Sequence, residues 1–354
     1  MLAARSMLAA RLQGPMTIKL DEVPAPGAPG AGEVRLAVTA VGVCGSDLHA
    51  YKTGNFATGK PDRPLTMGHE FAAVVLDAGP NAVSGFETPL VAGQRVAVEP
   101  NIACGHCRQC REGNPNLCTH HRFLGVWPDD GALQEELIVP AENCFPIPDA
   151  VSDAAGAQLE VLGVALHALD LGKVRVGDRV GVVGCGPVGL LIARLAHLAG
   201  AAEVVTFDPL PWRAEMAARF GATSAITGTA KEPGVNRDRL DVVFEVAWAN
   251  ESAQQAASLC RAGGRLVLVG IPEDNRLVLE HANARRKGLT IMMARRMKHT
   301  FERALSLVER GQVDLDAMAT VFPFAQASEA FRQNASYHPG LIKAVITPRP
   351  QGGH

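Results

Sequence analysis

Tyrosine is nearly missing from this 354-residue chain. Only Tyr51 and Tyr337 occur, and aromatic residues together make up 5%. So few rings leave no platform for stacking bases, which argues against a single-stranded nucleic-acid binder. Charge of one sign is also missing: 34 Lys and Arg face 36 Asp and Glu, for a formal net charge of −2. That balance gives no electrostatic footprint for nucleic acid or an anionic membrane. The most basic stretches, residues 285–287 and 295–299, read as solvated loop and helix ends. No apolar run approaches the ~20 residues that a membrane-spanning helix needs. The opening residues 1–11 lack the continuous apolar core of a secretory signal, although no acid occurs before Asp21. Residues 1–6 therefore read either as a transit-like leader or as a stretch ahead of the true start. The expectation is a cytoplasmic protein with neither nucleic acid nor membrane as partner.

Apolar residues reach 47% and charged residues 20%, enough for a sizeable core, and the length suits two domains. The 36 glycines and 23 prolines predict many tight turns. The first part reads as β structure. Residues 7–12 and 16–20 flank a Gln13-Gly14-Pro15 turn, and residues 33–41, 71–77 and 94–98 form further short strands, as in an irregular antiparallel barrel. Near Ser152 the pattern changes. A helix is expected over residues 153–171 with Ser152 or Asp153 as its cap. Strands at 179–183, 203–207, 241–246 and 265–269 then alternate with helices at 187–199, 211–220 and 252–260. Such alternation predicts a doubly wound parallel sheet covered on both faces, hence an α/β protein. Beyond residue 297, helices at 300–310 and 326–334 and strands at 321–323 and 341–347 are expected to return to the first domain. The predicted division is 1–155 with 297–354, and 156–296.

Three constellations carry chemistry. The strand at 179–183 runs into Gly184-Cys185-Gly186-Pro187-Val188-Gly189 and then a helix, which is G-x-G-x-x-G in the context that makes it a dinucleotide loop. Gly184 permits the turn, Gly186 lets backbone approach a pyrophosphate, and Gly189 allows helix and strand to pack closely. The next strand ends at Asp208, where a carboxylate accepts ribose hydroxyls and repels a 2′-phosphate, so NAD is favoured over NADP. Arg213 nearby keeps NADP open. A glycine-rich turn with a capping Asp is the bland alternative.

Second, Cys104, Cys107, Cys110 and Cys118 place four thiols on one short loop, half of the chain's eight cysteines. All-sulfur tetrahedral sites are closed and structural, so the lobe at about 99–120 predicts a structural zinc. Cys107 and Cys110 with His120 and His121 would be a different set, but adjacent histidines miss zinc-finger spacing. An iron–sulfur site fits the spacing but has no other electron-transfer signal beside it. Redox sensing through zinc release is a further reading of the same loop. Third, Cys44, His69 and Glu70 offer one thiolate, one imidazole and one carboxylate. Three protein ligands with one open position is the arrangement of a catalytic zinc. Singly, each of the three also fits a packing or surface role.

These motifs in this order, Cys44-Gly-Ser-Asp-Leu-His49, Gly68-His-Glu70, the four-cysteine lobe and Gly184–Gly189, resemble the zinc-containing medium-chain dehydrogenase/reductase superfamily and its polyol (sorbitol) branch. The resemblance runs from residue 7 to residue 347. It implies a GroES-like β-rich catalytic domain and a Rossmann domain, with the cofactor beside the metal in a cleft. It implies two zinc ions, one catalytic and one structural. It matches Glu160 to an acid that reaches the metal or its water, and Asp47 to a carboxylate that orients His69. Ser46 and His49 match a proton-relay path, and Tyr51 and Arg295 match substrate-pocket positions. It also implies a homo-oligomer, dimer or tetramer, that oxidises an alcohol or polyol. Threonine, an aldose or a simple alcohol are alternative substrates in the same superfamily. A non-catalytic nucleotide-binding protein on this fold is the alternative of another class. The chain departs from the branch at Val161, where Pro is usual after the acid, at Ala73, and in a longer segment at residues 86–92.

Overall fold

The computed structural model describes residues 5–56, 58–230, 237–272, 274 and 276–348; most of the ambiguous leader, residues 1–4, lies outside them. The first strands are β1 (Ser6–Gly14), β2 (Thr17–Pro24) and β3 (Glu33–Gly42), followed by helix α1 (Gly45–Thr53). Then come β4 (Leu65–Thr66), β5 (Glu70–Ala78), β6 (Arg95–Val98), β7 (Asn101–Ile102), α2 (Arg108–Arg111), β8 (Arg122–Phe123), β9 (Glu136–Pro140) and β10 (Cys144–Pro146). Helices α3 (Asp153–Ala157) and α4 (Leu159–Gly172) lead to β11 (Arg179–Val183), α5 (Pro187–Leu198), β12 (Glu203–Asp208), α6 (Pro211–Arg219) and β13 (Ser224–Thr227). After these come β14 (Leu240–Glu245), α7 (Ser252–Leu259), β15 (Cys260–Leu268), α8 (His281–Lys287), β16 (Thr290–Met293), α9 (Phe301–Glu309), β17 (Ala319–Pro323), α10 (Ala327–Ala335) and β18 (Lys343–Thr347).

The chain divides into two compact units, Met1–Glu160 with Phe301–His354, and Val161–Thr300. In the first, β1 and β2 form the expected hairpin, in register from Ser6↔Pro24 to Leu12↔Ile18. The main sheet runs β10-β6-β5-β3-β18-β17, with β9 also on β3. Strand β3 is nearly continuous in apolar residues, Val34, Leu36, Val38, Ala40 and Val41 all being buried, because the sheet is covered on both faces. The C-terminal strand does return to this unit: β18 pairs antiparallel with β3 through Val345↔Gly42.

In the second unit a six-stranded sheet has the order β13-β12-β11-β14-β15-β16, and every pairing is parallel. The strand order reverses between β11 and β14, which creates a ligand crevice at the carboxyl ends of the strands. Val183, Phe207, Val243 and Leu266 share one core beneath α7.

Two expectations need correction. The helix at 153–171 is two helices, capped at its start by Ser152, whose hydroxyl accepts the Ala155 N–H at 2.9 Å. The break falls at Gln158, whose buried amide donates to the carbonyls of Ala154 at 3.1 Å and Leu315 at 3.0 Å. Strand β15 begins at Cys260, five residues before the expected 265, with a register shift between Leu240 and Val242 of its partner.

Candidate metal centres and dinucleotide loop

Strand β3 ends at Gly42 and α1 begins at Gly45, so Cys44 stands at the turn between them as the helix N-cap. His69 immediately precedes β5 and Glu70 opens it, beside β3, and Gly42 is the ladder partner of Glu70. The three ligand atoms of Cys44, His69 and Glu70 all lie within 4.8 Å of one another. Asp47, in the first turn of α1, connects the two segments. Its Oδ2 accepts the Cys44 N–H at 3.1 Å and its Oδ1 lies 3.4 Å from His69 Nδ1. With Nδ1 engaged by Asp47, Nε2 is the ring nitrogen left to serve as a metal ligand, the usual division of labour for an imidazole with a carboxylate behind it. Burial opposes a charged His69, but the negative charges of Asp47 and Cys44 outweigh it and raise its pKa well above the ordinary histidine value. The donor set fits a divalent cation. His69 and Glu70 are 4% and 1% exposed. Buried anionic groups crowded together without a cation would be costly.

One residue of this cluster belongs to no motif. Lys343, on β18, is 2% exposed. Its Nζ pairs with Glu70 Oε2 and donates to the Val43 carbonyl at 3.0 Å. Burial disfavours the ammonium, yet Glu70, Cys44 and Glu160 hold it charged and raise its pKa. Glu160, 6% exposed in the first turn of α4, is thus within electrostatic reach of the same cluster. The available signal was a lysine at the head of a strand otherwise made of Ala, Val, Ile and Thr, all buried.

Ser46 and His49 lie half-buried on α1, one turn apart. Tyr51 lies in the last turns of the same helix. It is 2% exposed, its ring packs on Phe331 of α10 with centroids 5.5 Å apart, and Arg332 and Glu329 of that helix act on it electrostatically. Arg295 is exposed in the second unit, just after β16.

The four lobe sulfurs also lie within 4.8 Å of one another. Cys107 Sγ is 3.5 Å from Cys110 Sγ and 3.9 Å from Cys118 Sγ, near the ~3.8 Å edge of a tetrahedron with 2.3 Å Zn–S bonds. Backbone N–H groups of Cys104 and His120 point at Cys118 Sγ, and the Cys107 N–H points at Cys104 Sγ. Such donors favour thiolate. Those of Cys110 and Thr119 draw the Cys107 pKa down to about 5. His120 and His121 stand outside the group, their Nδ1 atoms facing Thr119 Oγ1 and the Cys118 carbonyl.

In the second unit β11 delivers Gly184 with φ +101°, a conformation that side chains disfavour. A Cβ on Gly189 would collide with the Gly184 carbonyl oxygen, so the helix can approach the turn only as glycine. Gly186 is the N-cap of α5, Pro187 its first residue and Val188 the next, leaving the helix N-terminus open to phosphates. Asp208 braces this loop. Its Oδ2 accepts the Cys185 N–H at 2.8 Å and its Oδ1 the Leu210 N–H at 2.9 Å, with 3% of the residue exposed. Each carboxylate oxygen keeps a lone pair for a ribose hydroxyl. A Cβ on Gly186 would lie 3.9 Å from an Arg213 guanidinium nitrogen, so Arg213 reaches over the loop.

Two family models match this chain: the alcohol dehydrogenase GroES-like domain over residues 30–149, and the zinc-binding dehydrogenase domain over residues 187–310. Sorbitol dehydrogenase of Bacillus subtilis is 31% identical over 97% of this chain and 98% of its own length. A protein of Sinorhizobium meliloti 1021 solved with NADP bound superposes with a TM-score of 0.86 at 30% identity, over 97% of this chain and all of that one. An alcohol dehydrogenase of Escherichia coli CFT073 solved with NADH gives 0.85 at 29% identity, over 97% and 99%. The β-rich first unit and the parallel sheet of the second are therefore the GroES-like and Rossmann folds.

Proposed function

This chain belongs to the zinc-type medium-chain dehydrogenase/reductase superfamily, in its polyol branch, and from that premise we propose that it oxidises a secondary hydroxyl of a sorbitol- or xylitol-like polyol with NAD. The observation that carries the proposal is the convergence of Cys44, His69 and Glu70 within 4.8 Å. Zinc held by these three residues supplies a Lewis acid that makes a substrate hydroxyl more acidic, and the nicotinamide supplies the hydride acceptor. Asp47 holds His69 in one ring orientation. Ser46 Oγ and the His49 imidazole, both half-buried on α1, carry the hydroxyl proton toward solvent. Glu160 adds a buried negative charge to the cluster and accepts hydrogen bonds from the reacting water or hydroxyl. The loop Gly184–Gly189 seats the pyrophosphate, and Asp208 takes the ribose. Cys104, Cys107, Cys110 and Cys118 hold a second zinc that closes their lobe.

In domain terms, residues 1–155 and 297–354 form the catalytic domain and residues 156–296 the nucleotide domain. The enzyme works in the cytoplasm as a homo-oligomer, dimer or tetramer. The test is a substrate panel of sorbitol, xylitol, threonine, glucose and simple alcohols, with NAD and NADP in parallel, read from the absorbance of reduced nicotinamide. Turnover of threonine or glucose with sorbitol and xylitol inert would sink the polyol assignment. A single zinc per chain, confined to the lobe, would favour a non-catalytic nucleotide-binding protein. Arg213 makes the NADP arm informative, since faster turnover with NADP would transfer its role to a 2′-phosphate.

A further inference from the structure

A buried lysine needs a reason, because an ammonium out of water is tolerated only when paired and hydrogen-bonded. Lys343 is both. It grips one specific oxygen of Glu70, Oε2, and anchors itself on the Val43 carbonyl one residue before Cys44. Room for this pair exists because residue 42 has no side chain. A Cβ on Gly42 would overlap Glu70 Oε2 and stand 3.0 Å from Lys343 Cε. Ladder pairing places Gly42 beside Glu70 on one edge and beside Val345 on the other, so the pair is built by strand register, not by a flexible loop.

A free carboxylate can offer a metal one oxygen or two. We propose that Lys343 is a positioning residue that ties down Glu70 Oε2, limits Glu70 to ligation through Oε1, and so preserves the vacant coordination position that a substrate hydroxyl needs. The inference rests on the reading that Cys44, His69 and Glu70 hold the catalytic zinc. Without Lys343, Oε2 is a buried anionic oxygen whose only cation is the metal. Glu70 then chelates through both oxygens, and Cys44, Glu70 and Glu160 lose the cation that offsets part of their charge. Both effects hold the metal tighter while closing the position that substrate uses.

The test compares Lys343→Met and Lys343→Arg with the wild type, each as full-length zinc-loaded protein. Zinc loss is followed by transfer to a chromophoric chelator, and metal analysis identifies what stays in the lobe. In Lys343→Met the catalytic zinc is expected to leave several-fold more slowly, the opposite of the weakening that loss of a group orienting a metal ligand ordinarily brings. The kcat falls and the KM for the alcohol rises, while NADH affinity measured by fluorescence is unchanged. Lys343→Arg returns the transfer rate toward wild type. In a Glu70→Gln background, Lys343→Met should slow the transfer clearly less than in the wild-type background, because only the loss of positive charge near Cys44 and Glu160 remains. Zinc loss as fast as or faster than wild type in Lys343→Met, or an equal effect in the Glu70→Gln background, overturns the proposal. If Lys343→Met fails to fold, Lys343→Gln keeps a donor for Val43 and carries the same test with the same sign. A wild type with zinc only in the lobe instead removes the catalytic-zinc reading itself, an outcome visible before any variant is made.

Discussion

Adding one methyl group at Gly42 should damage the metal cluster more than most single substitutions in this chain. The built Cβ overlaps Glu70 Oε2 and comes within 3.0 Å of Lys343 Cε, and both side chains are at most 3% exposed. Neither can swing into solvent. If the pair shifts as a unit, the cost is that of overpacking, about 1–3 kcal/mol. If it breaks, an uncompensated buried charge raises the cost toward ~3–5 kcal/mol. Gly27→Ala is the control, since a Cβ there meets nothing within 4 Å, and it should stay within about 0.5 kcal/mol of wild type. Urea titration followed by circular dichroism reads the stability difference, and zinc analysis after dialysis reads the cluster. The expected result for Gly42→Ala is a lower urea midpoint together with altered zinc retention at the catalytic site and intact lobe zinc. If Gly42→Ala is indistinguishable from Gly27→Ala in both measurements, the packing argument is wrong.

Gly189→Ala should abolish nucleotide binding, because its methyl would strike the Gly184 carbonyl and push α5 away from the turn; NADH fluorescence titration is the readout, and binding within a factor of two of wild type would refute it. Glu245 gives a pH prediction. Burial raises its pKa above the ordinary carboxylate value, while Ser252 and the backbone N–H groups of Ala247 and Gly270 pull it partly back. A folded-state pKa raised above the unfolded one means that its stabilising contribution is complete below the unfolded value and is lost as pH rises through the folded value. Glu245→Gln keeps an acceptor for Ala247 and Ser252 and removes that slope. Its urea midpoint should therefore gain on wild type as pH climbs above the ordinary carboxylate range, and a difference independent of pH would contradict the assignment.

Much of this architecture was legible because its signals are local. The run Arg179–Val183, the glycine loop and the apolar helix after it follow one another without interruption, and their boundaries lie within a residue of expectation. The four-cysteine lobe is equally compact, since a short loop must bring its own ligands together. What escaped is non-local. Strand β16 carries no alternation, with Thr290, Ile291 and Met293 exposed, and exists because β15 offers it a ladder. Tyr51 sits one helical turn beyond the Cys44–Asp47 segment, and only the position of α10 decides that its ring meets Phe331. Lys343 has no motif, since its partner is set by the register of β18 on β3.

That register has a consequence for biosynthesis. Lys343 and the Val43 carbonyl it caps are 300 positions apart. At ~5–20 residues per second, a ribosome exposes Glu70 on the order of tens of seconds before its counter-charge is made. Through that interval the nascent chain carries an unmatched acid and an uncovered stretch of strand edge at Val41 and Gly42, the kind of surface that recruits other chains. Prematurely terminated copies ending before residue 343 never escape that condition, which makes them natural clients for chaperones and proteases.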